Sequence, residues 1–309
     1  MELHDQGKGV ESHTRQSDAV WFAPTKKDVT IDYVDPDGSG RLHDSPGSLT
    51  LPVKKTKTES DIWVLYNSNV RVDIPDETVG ILRKKPNSSG RIQKDIGAGV
   101  VDAGYTGTVG MVFFGEGCLP EAVNLSIYRS VAGILRTSLS THDEEEPEMY
   151  HSLGCLKLTT TRNQHAADGG LDLYFAASPG VSKIFVKPGC SVTLGVGIGH
   201  ETCKLMSQIE TDKNSSAMVT VSIMGRSGLA FREGVHIEGP AHIEPTALPT
   251  AKVEVHNMGH KGFILSNGMR IAQLVPTMGM IEKVSFNRCS DITSVADRGQ
   301  DGFGSTGVV

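Results

Sequence analysis

Four glycines, an arginine, an aromatic ring and two hydroxyls occur within ten residues near one end of the sequence, residues 298–307. Glycines let successive backbone N–H groups converge on an anion, and Arg298, Ser305 and Thr306 add charged and hydroxyl donors. Phe303 adds a flat apolar face on which an aromatic base can stack. The composition indicates either a segment that wraps a phosphorylated compound or the mobile, glycine-rich end that such a composition usually denotes.

Residues 99–107 place an acid at the end of an apolar run and an aromatic ring just after a tight turn. A carboxylate held at a strand end, here Asp102, can act as a general base. The alternative is an ordinary hairpin in which Asp102 caps the turn and Tyr105 is half-buried.

Three further segments place polar side chains where phosphate or cation chemistry needs them. Asp172 lies inside the apolar segment 169–176, and because an unpaired buried carboxylate is costly, it should face a partner or a cation. By period two, it could equally lie on the solvated face of a half-buried strand. Arg226 and Ser227 lie on a glycine-flanked turn that suits phosphate oxygens, although an ordinary turn has the same composition. Gln273 lies in an apolar strand and needs hydrogen-bond partners, from a ligand or from the core.

The composition argues against several classes of function. The 309 residues are 38% hydrophobic and carry a net charge of −6, which argues against stable nucleic-acid binding, because that needs a basic face. The sequence has no apolar run long enough to cross a membrane and no signal-peptide pattern, so we expect no membrane association. Five scattered cysteines without a C-x-x-C pair favour an intracellular protein and disfavour a zinc site. His256 and His260, four apart at a strand–turn boundary, also make a poor metal pair.

Apolar and polar residues that alternate with period two predict the β-strands that must position these residues. Apolar residues alternate with small or polar ones over residues 192–198, and residues 109–113 form the continuous apolar run of a buried strand. Shorter strand patterns cover residues 184–186, 219–221 and 253–255. Turn residues recur at short intervals, so we predict an all-β protein of short strands, a sandwich or barrel. The best helix candidate covers residues 120–123, or else 125–135.

Two polar stretches, residues 141–147 and 164–170, divide the chain into halves of similar length. We predict five regions: a disordered N-terminus (1–20), a first β-domain (21–140), a linker (141–168), a second β-domain (169–296) and a mobile C-terminal lid (297–309).

The two halves also repeat a two-part pattern faintly. The segments 87–91 and 97–107 of the first half resemble the segments 225–230 and 233–239 of the second half, and each half has one sharp and one blurred copy. We interpret this weak self-similarity as an ancient duplication in which each half lost part of a site.

Taken together, the chemistry-bearing segments resemble the five motifs of the dUTPase family. In motif order they are residues 170–173, 226–230, 99–107, 268–274 and 298–307. The third motif precedes the other four, each motif occurs once, and the chain has about double the usual family length. In these respects the chain resembles the herpesvirus dUTPases, which are monomers whose two β-domains assemble one site.

The resemblance implies a fold of two dUTPase-like β-barrel or jelly-roll domains from an ancient duplication, with a flexible C-terminal tail. It implies hydrolysis of dUTP to dUMP and pyrophosphate with Mg²⁺, and Asp102 as the base that activates water. Asp172 is implied to reach Mg²⁺ through a water. The residues implied to bind substrate are Gly99, Tyr105, Gly107, Arg226, Ser227, Gly228, Gln273, Arg298, Phe303, Gly304, Ser305 and Thr306.

Three positions depart from the family pattern. Met269 stands where the family commonly has aspartate, and Gly104 replaces a second aspartate in the third motif, as in the herpesvirus members. Asp301 stands where glycine is usual in the tail and adds a negative charge near the triphosphate. The first two leave the candidate catalytic residues intact, whereas Asp301 is expected to affect binding or closure of the tail.

Two other functions fit the same resemblance. A non-catalytic relative would act by binding host proteins, but such a protein is expected to have lost motifs that are present here. A deoxycytidine-nucleotide deaminase is a second alternative, although the spacing from Asp102 to Tyr105 and the aromatic tail fit a dUTPase better. For the enzyme we expect a monomer located in the host-cell nucleus or cytoplasm, with host-protein partners as a further option.

Overall fold

The computed structural model describes residues 21–22, 28–38, 41–42, 47–58, 63–85, 91–139, 152–158, 168–210, 218–281 and 283–292. The predicted disordered N-terminus, most of the predicted linker and the predicted C-terminal lid lie outside the described residues.

Short strands account for most of the described chain. Up to residue 130 they are β1 (Trp21–Phe22), β2 (Asp28–Val34), β3 (Arg41–Leu42), β4 (Ser48–Pro52), β5 (Lys54–Thr58), β6 (Trp63–Asp73), β7 (Thr78–Lys84), β8 (Asp95–Ala98), β9 (Val100–Asp102), β10 (Thr108–Phe114) and β11 (Ala122–Ser130). Beyond residue 150 they are β12 (Gly154–Leu158), β13 (Leu171–Ala177), β14 (Lys183–Val186), β15 (Ser191–Val196), β16 (Ile209–Glu210), β17 (Val219–Gly225), β18 (Val235–Glu238), β19 (Lys252–Asn257), β20 (Phe263–Ser266), β21 (Arg270–Met280) and β22 (Lys283–Arg288). The helices are α1 (Ala132–Leu139), α2 (His200–Ser207), α3 (Ser227–Glu233) and a 3₁₀ turn, Pro245–Thr250.

Within the described residues, two sheets contain most of the strands. The larger has the order β18-β19-β15-β12-β13-β21-β11-β4-β3, with β17 paired to β21, and β7 paired to both β11 and β9. The smaller has the order β22-β2-β6-β10-β8, with β5 paired to β6. Because β21 pairs with both β13 and β11, strands from both halves of the sequence lie in one sheet.

The buried apolar residues form two main clusters. One contains Leu135, Phe175 and Leu274, and most of its other members come from the second half of the chain. The other contains Ile31, Met111 and Leu125 from the first half, together with Ile281 near the chain end. The predicted domain boundaries themselves stay a prediction.

The prediction of an all-β protein is confirmed, since the described chain is mostly strand. Residues 192–196 of the alternating run lie in β15, which ends before residues 197–198, and the continuous apolar run 109–113 lies within the buried strand β10. No helix among the described residues is long and apolar enough to span a membrane.

The predicted helix position was wrong. Residues 122–130 form strand β11, which pairs with β4, β7 and β21, and the helix begins only at Ala132. The Ser130 hydroxyl accepts a hydrogen bond from the Ala132 amide at 3.3 Å, at the change from strand to helix. Residues 125–128 are buried in succession, as expected for a central strand, and the pairing of β11 with other strands overrides the local pattern.

Candidate functional site

Asp102 ends strand β9 at a tight hairpin turn. The Tyr105 amide donates to the Asp102 carbonyl at 3.3 Å, and the Gly104 amide donates to the Ile74 carbonyl at 3.0 Å. Gly104 has a φ of 69°, a left-handed conformation that favours glycine over the aspartate usual in the family motif. The Tyr105 hydroxyl donates to the Thr108 carbonyl at 2.8 Å, so the half-buried ring is tied to its own hairpin.

A hydrogen bond joins this hairpin to the first predicted motif. The Gly169 amide donates to Asp102 Oδ1 at 2.9 Å, although the two residues are 67 positions apart. Asp102 also lies opposite Val79 in the β7–β9 ladder, which holds the strand end in register. The Gly169 amide therefore orients the carboxylate of Asp102, and β7 fixes the backbone of the same residue.

Asp172 is buried between two arginines, as its position in an apolar strand predicted. Its Oδ1 lies 3.1 Å from Arg226 Nε, and its Oδ2 lies 3.1 Å from Arg270 Nη1. Arg226 also donates from Nη1 to the Arg270 carbonyl at 3.3 Å. Burial lowers the pKa of the Arg226 guanidinium, while the charge of Asp172 opposes that shift, so Arg226 stays protonated. The three side chains form a buried ion-pair cluster with one net positive charge.

Gln273 connects the fourth motif to the second. It lies opposite Asp172 on one side of β21 and opposite Met224 on the other side. Its Nε2 donates to the Gly225 carbonyl at 3.3 Å. The Gln273 amide nitrogen thus has a partner in the protein itself, as the alternative of a satisfied core amide predicted. The side chain is half-buried and lies beside Asp172.

The residues just before the second and third motifs, Gly225 and Gly97, touch through their backbones. A Cβ atom built on Gly225 would lie 2.5 Å from the Gly97 carbonyl oxygen, so only glycine permits this approach. The predicted turn after Gly225 is in fact a helix start: Arg226 is the N-cap of α3, and Ser227 and Gly228 are its first residues. We name the connected residues Asp102, Gly169, Asp172, Arg226, Arg270 and Gln273 the motif cluster.

Arg136 on α1 is a member of this neighbourhood that the sequence did not reveal. Its Nη2 donates to the Asp168 carbonyl at 3.1 Å and to the Gly170 carbonyl at 3.3 Å. Burial lowers the pKa of its guanidinium, and attraction to Asp168, Asp102 and Asp172 opposes the shift. No local motif contains Arg136, and only its place in the last turn of α1 brings it to the segment that orients Asp102.

The structure thus brings four of the five predicted segments together. Gly99 lies between β8 and β9, where its carbonyl accepts the Leu82 amide at 2.7 Å, and Gly107 lies against the Tyr105 ring. Met269, at the position where the family commonly has aspartate, is partly buried and packs on the larger apolar cluster. The fifth segment, with Arg298, Phe303, Gly304, Ser305, Thr306 and the unusual Asp301, lies outside the described residues.

The surroundings of Asp172 limit how it could hold Mg²⁺. Both of its carboxylate oxygens already face arginines, and its side chain is only 11% exposed. Mg²⁺ prefers several oxygen ligands and keeps most of its waters, so Asp172 does not form a cation cage by itself. The side chains around Asp172 fit a Mg²⁺ ion that is bound mainly by an anionic ligand and contacts Asp172 only through a water molecule.

The second half of the chain matches a known protein family. Residues 157–307 match the dUTPase family model. The deoxyuridine 5′-triphosphate nucleotidohydrolase of Clostridium kluyveri is 31% identical over 146 residues, which cover 47% of this chain and 87% of the relative. The enzyme of the same name from Anaplasma marginale is 33% identical over 145 residues, which cover 45% of this chain and 82% of the relative.

A solved structure of a dUTPase from Staphylococcus bacteriophage 80alpha, with dUpNHpp, covers 87% of this chain and 90% of its own at 15% identity. Its TM-score of 0.21 is too low to support an argument.

The chain therefore belongs to the dUTPase family. The matched range contains the first, second, fourth and fifth motifs, whereas the third motif, residues 99–107, lies before it. The segment with Asp102 resembles the third motif through its own residues, outside the range that the family model matches. The hydrogen bond from Gly169 connects this segment to the matched range.

Proposed function

We propose that this protein hydrolyses dUTP to dUMP and pyrophosphate. The observation that carries the proposal is the motif cluster, in which segments from four separate parts of the chain make direct contacts. Membership of the dUTPase family and the names of the bacterial relatives support this substrate and reaction. The non-catalytic alternative predicts a broken cluster, and the contacts between its described members favour the enzyme.

In the proposed mechanism, Asp102 accepts a proton from a water that attacks the α-phosphorus. The new bond joins the water oxygen to the α-phosphorus, and the bond to the oxygen that leads to the β-phosphorus breaks. The Gly169 amide, 2.9 Å from Oδ1, holds the carboxylate in one orientation, which supports its proposed role as the base. Phosphoryl transfer depends mainly on positioning and charge neutralisation, and the fixed hairpin supports the first of these requirements.

The positive charge around Asp172 supports binding of the triphosphate. Arg226, Ser227 and Gln273 are proposed to hold the phosphates and their waters, with Gly228 at the start of the same helix. Mg²⁺, when bound with the triphosphate, would neutralise part of the phosphate charge, and Asp172 is proposed to hold one of its waters.

The base and sugar are proposed to bind at the hairpin of residues 99–107. Tyr105, held by its bond to the Thr108 carbonyl, offers a rigid face for the deoxyribose. The backbone of the turn around residues 97–107, with Gly99 and Gly107, is proposed to read uracil. The tail residues Arg298, Phe303, Gly304, Ser305 and Thr306 are proposed to close over the ligand, Phe303 on the base and the others on the γ-phosphate. Closure would exclude bulk water from the reacting phosphate.

Replacement of Arg136 with methionine should lower kcat/KM for dUTP by about 10- to 100-fold, since small misplacements of reacting groups have effects of that size. The variant loses both hydrogen bonds that hold the backbone of Asp168 and Gly170, so the amide that orients Asp102 becomes mobile. Steady-state kinetics and hydrogen exchange at the Gly169 amide would measure both effects. Arg136→Lys, which keeps the charge and one donor, should recover part of the rate. An Arg136→Met variant with unchanged kinetics would contradict this role.

The protein is proposed to be a herpesvirus-type monomer with one site for each chain. The contact between Asp102 and Gly169 within a single chain supports a site that needs no second copy. Light scattering should therefore give a mass near 33.1 kDa, and titration with a non-hydrolysable dUTP analogue should give one site per chain. A trimer in solution would overturn this arrangement.

Pyrophosphate release with dUTP, dCTP, dTTP and UTP, with and without Mg²⁺, tests the proposed function directly. A clear preference for dUTP that depends on Mg²⁺ is expected. Ammonia release from a deoxycytidine nucleotide would favour the deaminase alternative, and no turnover of any nucleotide would favour a non-catalytic protein that binds host proteins.

An intracellular location, nucleus or cytoplasm, is proposed from the scattered cysteines. Microscopy of the tagged chain tests it, and secretion of the chain would contradict it.

A further inference from the structure

Four side chains that the proposed dUTP site does not use form a square on the β18–β19 ladder. His236 lies opposite His256, and Glu238 lies opposite Glu254. Residues two apart on a strand share a face, so all four project on the same side of the sheet. Their neighbours Ile237 and Val255 are buried on the other side.

One donor atom from each of Glu238, Glu254 and His256 lies within 4.8 Å of the other two. His256 Nε2 is 3.3 Å from a carboxylate oxygen of Glu238 and 3.3 Å from one of Glu254. The three groups are therefore close enough to act as ligands of one cation.

A positive charge between Glu238 and Glu254 would be favourable. Two carboxylates directly opposite on antiparallel strands repel each other and destabilise the pair. A cation bound between them would remove that repulsion. His256 Nε2 is buried and makes no hydrogen bond of acceptable geometry with either carboxylate, so this nitrogen is left for another partner.

A second observation concerns His236. Its Nδ1 is buried and has no hydrogen-bond partner among the described residues. The His236 and His256 rings have their centroids 5.9 Å apart, so a further nitrogen donor stands one cross-strand position from the cluster. Buried polar atoms are usually satisfied, so an unpartnered imidazole nitrogen beside these three side chains is a second sign of an unfilled ligand position on this face.

We propose that Glu238, Glu254 and His256 bind a divalent transition-metal ion of the Zn²⁺ class, with His236 as the neighbouring donor. Mg²⁺ and Ca²⁺ prefer all-oxygen sites, whereas a set of imidazole and carboxylate ligands suits Zn²⁺ and similar ions. Three protein ligands leave a fourth position for water. Because Glu238 and Glu254 are exposed, the ion would be reached from solvent, separately from the Mg²⁺ that accompanies a triphosphate.

The site is tested by calorimetric titration of Zn²⁺ into the chelator-treated full chain with excess Mg²⁺ present. One site is expected in the wild type, and Zn²⁺ affinity at that site should fall by at least about 10-fold in Glu238→Gln/Glu254→Gln and in His256→Ala, since even outer partners of metal ligands have effects of that size. His260→Ala and Glu244→Gln, which change exposed residues of the same types, are the matched controls and should bind as the wild type does.

Two measurements distinguish this metal site from an ion held by cysteines and from a protonated His256 ring. With Co²⁺ in place of Zn²⁺, the absorption spectrum should be that of an ion with nitrogen and oxygen ligands. A thiolate-to-cobalt charge-transfer band would instead assign the ion to cysteines. Equal Zn²⁺ binding by wild type and the double glutamine variant would overturn the proposal, as would an NMR spectrum that shows a protonated His256 ring unchanged by Zn²⁺. The dUTP turnover of the variants reports on folding only, because none of these residues belongs to the motif cluster.

Discussion

Replacing Asp102 with asparagine should lower kcat for dUTP by about 10²- to 10⁴-fold, the range that a general base contributes. Asparagine has the same shape, and its Oδ1 can still accept the Gly169 amide, so the hairpin should stay joined to the first motif. The amide cannot take a proton from water, and the loss should therefore appear in turnover and not in binding.

Pyrophosphate release and equilibrium binding of a non-hydrolysable dUTP analogue would separate these two effects. The matched control is Asp76→Asn, which makes the same change at an exposed aspartate in the turn before β7 and should retain wild-type kinetics. Near-normal turnover of Asp102→Asn would remove Asp102 as the base. Loss of analogue binding would instead assign it to substrate binding.

Replacing Asp172 with alanine should lower the free energy of unfolding by about 3–5 kcal/mol, as expected when one partner of a buried ion pair is removed. Arg226 and Arg270 have side chains only 10% and 8% exposed, and the variant would leave both positive charges buried without Asp172. The cost comes from desolvated charge and not from lost apolar contact, because Asp172 contributes little apolar area.

Urea denaturation followed by circular dichroism would measure this change. Asp76→Ala, at an exposed position, should alter the free energy of unfolding by less than about 0.5 kcal/mol. Asp172→Asn, which keeps hydrogen-bonding capacity but loses the charge, should lie between the two. A loss below about 1 kcal/mol in Asp172→Ala would contradict a buried ion-pair role, since exposed pairs contribute no more than that.

The local pattern of the sequence predicted strands well where the pattern lies within one element. The alternating run of β15 and the continuous apolar run of β10 were both identified, because each pattern is a property of a few adjacent residues. The helix was placed too early, since the pairing of β11 with β4, β7 and β21 depends on residues far away in the sequence. The turn expected at Arg226 and Ser227 is the start of α3. Here too the structure depends on a distant residue, because the Arg226 guanidinium forms an ion pair with Asp172.

The residue types of the chemistry-bearing segments were readable from the sequence alone, because acid, glycine and aromatic spacing within a motif is local. Their roles in the proposed reaction stay predictions. Three relations depended on the tertiary fold. Asp102 contacts Gly169, and Arg136 contacts the segment that contains Gly169. The metal-ligand neighbours of His256 are Glu238 and Glu254 on paired strands, and not His260, which is close to it in sequence. Each joins residues through strand pairing or packing between elements, and no short-range pattern of residues encodes such distances.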